Sequence, residues 1–478
     1  MTTIFVPASQ TMNMTMTRYA GGDITAGNTG SWASSLLALL GLLGLHAGLG
    51  LAMHQWPFVA TAHGWIVGLI ALIVAFDARP GKVAMIGGYI VGSDVLWRMT
   101  GAVVFWEYAK YLLVLAFLIA IVRGRAGFVW RFAPIAYFSL LIPSVSVVLG
   151  DPKLDTFAIR SALSFGLSGP LALAIAIWLL SQVTLSHIER RKVFILCIAP
   201  LVGIAALTLM STYSATEIKW TTQSNFVTSD GFGPNQISTV LGLGALLAFL
   251  ISIDPRTSRP IRWLMTGTAL LLLTQAVMTF SRGGVYSVVI GATLFSVTLL
   301  LSRRGRTKGG SRGVVLLIAL SVVFIGAILP RLDQFTGGAL ETRLRETTTS
   351  GRDELVRDDL RLWSEHPLLG VGPGTSQRHR IDLVAGSHTE YTRLLAEHGL
   401  LGALALLILS MMCVARLLRA RDAGERALVI GLMSWSLVTM AHATMRTVGP
   451  SFILGLAFAA FVPPNIALRR SKPLFRLG

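Results

Sequence analysis

A chain of 478 residues that is 53% hydrophobic and only 13% charged has about half the charge of a soluble globular protein, where about 25% is usual. That excludes a soluble enzyme, a disordered chain and a nucleic-acid-binding domain of ordinary type. The two cysteines, Cys197 and Cys413, lie inside apolar runs, so neither a disulfide framework nor a thiolate metal site is expected. The composition is that of a polytopic membrane protein.

A bilayer core takes about 20 apolar residues per helix. In chain order such runs fall near 33–53, 57–76, 105–122, 132–150, 165–185, 193–212, 237–253, 263–280, 284–302, 313–330, 399–418, 427–445 and 451–467. A weaker run near 83–96 is interrupted by Gly87, Gly88, Gly92 and Asp94. It reads as a span, a re-entrant segment or part of a longer tilted helix. The expectation is an all-α polytopic membrane protein with about 12–14 transmembrane helices and a large, partly helical loop. Its parts would be a polar tail (1–32), helices with short loops (33–330), the large loop (331–398), C-terminal helices (399–467) and a basic tail (468–478). The first span exceeds a signal-peptide core and lacks a clear cleavage site, so it reads as retained.

Orientation follows from the charges. With the N-terminus in the cytoplasm and every span crossing, about 25 of the 41 basic residues collect on the cytoplasmic side, as the positive-inside rule requires. They include Arg123, Arg125 and Arg131, the Arg303–Arg312 run, Arg416, Arg419, Arg421 and Arg426, and the C-terminal tail. The charge of +18 is therefore a topology signal and calls for no nucleic acid. The loop 331–398 lies on the other face and is nearly neutral, so function belongs there.

That face has no GxxxxGK[ST] loop and no HExxH pair, and Gly370–Gly374 lacks a dinucleotide setting. Arg282, followed by Gly283 and Gly284, reads either as an arginine snorkelling at a helix end or as a fork for phosphate oxygens, with the glycines admitting a charged ligand to the backbone. Arg352 opens an amphipathic helix: Ser350 and Asp353 have capping-box spacing, and Val356, Leu360 and Trp363 should pack down on the bundle. It is a solvated helix-end arginine or an anion ligand; its neighbours Arg343, Arg345, Arg357 and Arg361 read as solvated. His388 is an incidental loop histidine or a general base. Glu390 or Glu397 would orient it and Tyr391 would donate a hydrogen bond. Asn235 sits at a turn and helix start; His442 and Arg446, four apart, supplement the site or serve structure. Glu107 and Lys110, three apart inside the 105–122 run, are an ion pair or the charges of a transporter.

Phe280-Ser281-Arg282-Gly283-Gly284 resembles a motif of the O-antigen ligase and polymerase superfamily. So do Gly351-Arg352 followed by Trp363–Gly374, and Ser387-His388-Thr389-Glu390-Tyr391 running into Leu394–Gly402. The resemblance spans roughly residues 228–420, with Gly233-Pro234-Asn235 fitting its upstream part. It implies a metal-independent glycosyltransferase of the bacterial inner membrane, with both termini cytoplasmic, a periplasmic site and no cofactor. The implied donor is an undecaprenyl-diphosphate-linked glycan. The implied acceptor is lipid A–core for a ligase, or another lipid-linked O-antigen or exopolysaccharide unit for a polymerase. By position, Arg282 and Arg352 would hold the diphosphate and His388 would act on the acceptor hydroxyl, with inversion. Thr389 departs from the asparagine common after that histidine. A transporter or lipid-glycan flippase is the reading of a different class.

Overall fold

The computed structural model describes residues 29–124, 131–221, 223–301, 308–346, 351–380 and 386–461. The N-terminal tail to residue 28, Arg125, the basic residues 303–306, Ser350 and the C-terminal tail lie outside the described residues. What is described is almost wholly helical, with one two-residue parallel pairing of Thr184 with Ala460 and Leu185 with Phe461.

The chain opens with α1 (Thr29–Gln55), α2 (Pro57–Asp77), α3 (Pro80–Met99) and α4 (Tyr108–Arg123). The run 132–150, expected as one span, is two short helices, α5 (Phe132–Ser139) and α6 (Val145–Leu149). Pro143 has no N–H to continue the ladder, and Ser144 turns inward to meet His398 Nδ1 at 2.5 Å. Then come α7 (Thr156–Leu180), α8 (His187–Ser214), α9 (Pro234–Ile253), α10 (Arg259–Met278) and α11 (Arg282–Leu301). Helix α12 (Lys308–Val323) passes through a π turn into α13 (Leu329–Phe335), followed by α14 (Ala339–Arg345), α15 (Arg352–Glu365), α16 (Glu390–Leu418), α17 (Ala423–Ala443) and α18 (Gly449–Ala457).

Ten of these stretches are long and apolar enough to cross a membrane: α1, α2, α7 to α11, α12 continued into α13, α16 and α17. The architecture is that of an all-α polytopic membrane protein. The other four runs fall short for visible reasons. Helix α3 carries Lys82, Asp94 and Arg98, α4 has 16 residues, 132–150 is broken, and α18 ends after 9. Helix α9 is the central post, buried at every residue from Ile237 to Ile253, as a helix apolar on all sides must be. The glycines that make 83–96 look broken are its packing face: Gly88 and Gly92 lie on the backbone of α8, and a Cβ at Gly92 would sit 2.3 Å from the Cys197 carbonyl oxygen.

Two features of the large loop differ from expectation and position the site. First, α15 buries Leu355, Asp359 and Leu362 and leaves Leu360 exposed. The face is turned by one residue because a carboxylate, not an apolar side chain, is its central anchor. Its N-cap is Gly351, with no side-chain cap. Second, the last residues of the loop already belong to α16, which bends at Gly399 (φ 59°, ψ −137°). The bend frees backbone groups, and the Pro367–Gly372 strap satisfies them. Val371 N donates to Ala396 O at 2.9 Å, Gly372 N to Glu397 O at 3.1 Å, and Leu400 N to Pro367 O at 2.7 Å.

Candidate functional site

Arg282 is the first residue of α11 and follows a tight reversal at Phe280, whose φ is 58°. Side chains from α9 hold that reversal: Ser238 Oγ donates to Ser281 O at 2.8 Å, and Asn235 Oδ1 accepts from Ser281 Oγ at 3.2 Å. The Arg282 guanidinium donates to the Glu346 carbonyl. Arg343, read from the sequence as solvated, is buried; its Nε donates to Phe280 O at 3.2 Å and its Nη1 meets Glu346 Oε2 at 2.9 Å. Arg345 and Arg357 are exposed and paired on their own helices. The two glycines after Arg282 do not open the backbone to a ligand. A Cβ on Gly283 would lie 2.3 Å from His442 Nδ1, and one on Gly284 would lie 2.2 Å from Ser238 O. They admit an imidazole ring and a neighbouring helix.

Arg352, at the start of α15, is the next cation. Burial pulls its pKa below the usual arginine range, and Arg282 and Arg343 add to the effect. Asp359, one face-length further along α15, accepts from Arg380 Nη2 at 2.6 Å, Ser387 Oγ at 2.9 Å and Thr392 Oγ1 at 2.7 Å. It thereby ties α15 to residues on both sides of His388. Thr389 caps α16 by accepting from Tyr391 N at 3.3 Å, so the residue after the histidine has a backbone duty.

His388 itself is half-buried. Burial, with Arg446, Arg352 and Arg380 around it, pushes its pKa down to about 4, while the His442 carbonyl pulls the other way. Nδ1 is buried with no hydrogen-bond partner, so in the tautomer that carries its proton on Nε2 the Nδ1 lone pair is unpaired. Arg446 Nη2 lies 3.4 Å from Gly386 O and 3.3 Å from Ser387 O, gripping the chain just before His388. Its Nε is buried without a partner. Burial lowers the pKa of Arg446, as do Arg393, Arg352 and Arg380.

The turn bearing Arg446 is pinned from α3. Asp94 Oδ2 accepts from Val448 N at 2.9 Å, Asp94 Oδ1 pairs with Arg98 Nε at 2.9 Å, and Arg98 Nη1 donates to Arg446 O at 3.1 Å. Glu107 and Lys110 extend the network: Lys110 Nζ meets Glu107 Oε2 at 2.6 Å, and Arg98 Nη2 is 3.8 Å away from the same oxygen. All four side chains are buried, two of each sign. They form a balanced structural cluster. Sequence reasoning missed both Asp94 and Arg98: Asp94 looked like an interruption of an apolar run, and Arg98 lies just beyond that run.

The remaining predicted residues take supporting places. His442 Nε2 meets Ser287 Oγ at 2.9 Å, within electrostatic reach of Arg352 and His388. Asn235 Nδ2 donates to His442 O at 3.2 Å. Glu390 is fully buried, accepting from Arg393 at 2.5 Å and from Met445 N at 3.2 Å. Glu397 pairs with Arg393 at 2.7 Å, and Tyr391 donates to Leu437 O at 2.9 Å. These three therefore stiffen the short helix behind His388 instead of touching its ring.

The structure thus brings Arg282, Arg343, Arg352, Arg446, His388 and His442 into one cluster. Neither Arg352 nor Arg446 has a carboxylate within salt-bridge range among the described residues, and every charged group that weighs on them is cationic. Among the described residues no three His, Cys, Asp or Glu side chains converge as metal ligands. The fold and site together define a multi-pass membrane protein with a cluster of cations around a neutral imidazole.

Residues 267–407, from α10 through the bend of α16, match the family model described as O-antigen ligase. The match contains Arg282, Arg352 and His388; Asn235, His442 and Arg446 lie outside it. No curated protein matches the chain. The chain is a multi-pass membrane protein, and the match over residues 267–407 supports a glycosyltransferase activity of the ligase or polymerase type.

Proposed function

We propose that the chain transfers a glycan from undecaprenyl diphosphate to a sugar hydroxyl on the periplasmic side, acting as a ligase with lipid A–core as acceptor. The observation that carries this reading is the pair of half-buried arginines that meet no counter-charge among the described residues, Arg352 and Arg446, beside the unpaired Nδ1 of His388. Uncompensated buried cations are costly, and a diphosphate supplies the missing charge. Arg282 and Arg352 would hold it in planar, multidentate contacts, with Arg446 beside them.

In the transfer step His388 Nδ1 accepts the proton of the acceptor hydroxyl as its oxygen bonds to the donor sugar's C1. The bond from C1 to the diphosphate oxygen breaks on the opposite face, and configuration inverts. The electron pair leaves with the polyprenyl diphosphate, where the arginines stabilise it. His388 then returns its proton to solvent. Because arginines meet the leaving charge, transfer should proceed in excess chelator.

The test is transfer by purified protein in detergent, given lipid-diphosphate-linked glycan with no nucleotide. Lipid A–core is compared with a second copy of the lipid-linked unit as acceptor. Product on lipid A–core that is lost in His388→Ala supports the proposal. A ladder of longer lipid-linked chains would assign a polymerase with the same chemistry. Absence of both products from a folded sample would return the transporter reading.

A further inference from the structure

Helix α16 runs from the catalytic cluster to the far end of the bundle. From Leu400 to Arg419 its straight part rises about 28 Å at ~1.5 Å per residue, close to the ~30 Å of a bilayer core. At that far end lies a cavity of about 690 Å³ between α5, the end of α7 and the end of α16. Its rim carries Arg131, Arg419 and Arg421, and its wall is apolar, with Phe132, Met411 and Met412.

The cavity is built from both sides. Arg416 is fixed by Glu425 at 2.8 Å and by the carbonyls of Ala457 and Ala459 at 2.9 and 2.7 Å. Glu425, the acidic residue of the lining, is thereby committed, and it also accepts from Arg421 N at 2.8 Å. Among the described lining residues no carboxylate is left for the rim. Among the described residues the side chains of Arg419 and Arg421 meet no acid, and Arg131 Nε is buried without a partner. From the rim an exposed apolar stripe, Leu418, Val414, Met411 and Leu407, descends the outer face of α16 toward the middle of the membrane.

We propose that this cavity binds an anionic phospholipid of the leaflet at the basic end of the bundle. Its phosphate sits among Arg131, Arg419 and Arg421, and one acyl chain lies along the α16 stripe. Basic pockets between helices on the positively charged side suit such headgroups, and the stripe distinguishes a whole lipid from a free anion.

The test is native mass spectrometry of the delipidated full chain titrated with phosphatidylglycerol, with phosphatidylcholine of the same acyl chains, and with glycerol 3-phosphate. Phosphatidylglycerol should be retained at least tenfold better than phosphatidylcholine. The exposed double variant Arg419→Gln/Arg421→Gln should lose at least fivefold of that retention with an unchanged unfolding temperature. Arg256→Gln/Arg259→Gln, on exposed cations outside this cavity, should lose none. Equal retention of the two lipids, or an equal loss in the second double variant, would reduce the effect to general positive charge and overturn the proposal. Displacement of the lipid by glycerol 3-phosphate at matching concentration would overturn it as well.

Discussion

Burial, and after it three arginines, Arg446 from the turn after α17, Arg352 from α15 and Arg380 from the stretch before the histidine, hold the pKa of His388 near 4. In the proposed mechanism only the neutral ring accepts a proton, so activity should be lost as pH falls through that pKa. A bound diphosphate offsets the arginines and returns the pKa toward its ordinary 6.5. The acid limb of kcat, which reports the loaded enzyme, should therefore lie at higher pH than that of kcat/KM; coincident limbs would argue against a diphosphate beside the ring. Removing the base in His388→Ala should cost about 10²–10⁴-fold in kcat. Asp94 acts one step further back, through the Arg446 turn. Asp94→Asn should lower kcat about 10–100-fold by misplacing Arg446 and should also move the acid limb, whereas an unmoved limb would mean that Asp94 serves only the fold.

At the scale of the helix, the site depends on places where a side chain has been left out. In Gly283→Ala the new Cβ would overlap the His442 ring, and a thermal melt should show a loss of about 1–3 kcal/mol together with reduced transfer. Gly267→Ala on α10, with nothing within 4 Å, is the control and should be neutral. Much of this level was legible in advance. Apolar run length located the ten long spans, and the motifs around Arg282, Arg352 and His388 marked three residues that the fold draws together. What escaped the sequence has one physical character: buried polar groups inside helical patterns. Asp359 turned the face of α15, Asp94 made α3 look broken, and Arg343 looked solvated. Asp94 and Arg343 have near partners in Arg98 and Glu346, but the contacts that tie these residues to other elements, Arg380, Val448 N and Phe280 O, are distant in sequence, and no local periodicity announces them.

Across the whole molecule, the cluster of Asp94, Arg98, Glu107 and Lys110 joins α3 and α4 to the active turn while keeping its charges balanced. Glu107→Gln would leave Lys110 buried beside a neutral partner, and a melt in detergent should show a loss of about 3–5 kcal/mol. Glu107→Gln/Lys110→Met should recover most of it. The arginines of this protein share a further habit. Arg98 holds the carbonyl of Arg446, Arg446 those of Gly386 and Ser387, Arg343 that of Phe280, Arg393 that of Gly166, and Arg416 those of Ala457 and Ala459. In each link the cation is a side chain, but its acceptor is peptide backbone that every amino acid supplies. Each contact is therefore lopsided in what it demands: it fixes the arginine, whereas the gripped residue is held only by what else it touches, as Gly166 is by its close approach to Gly374. A gripped position whose side chain has no further contact can then change without loosening the helices that its arginine joins.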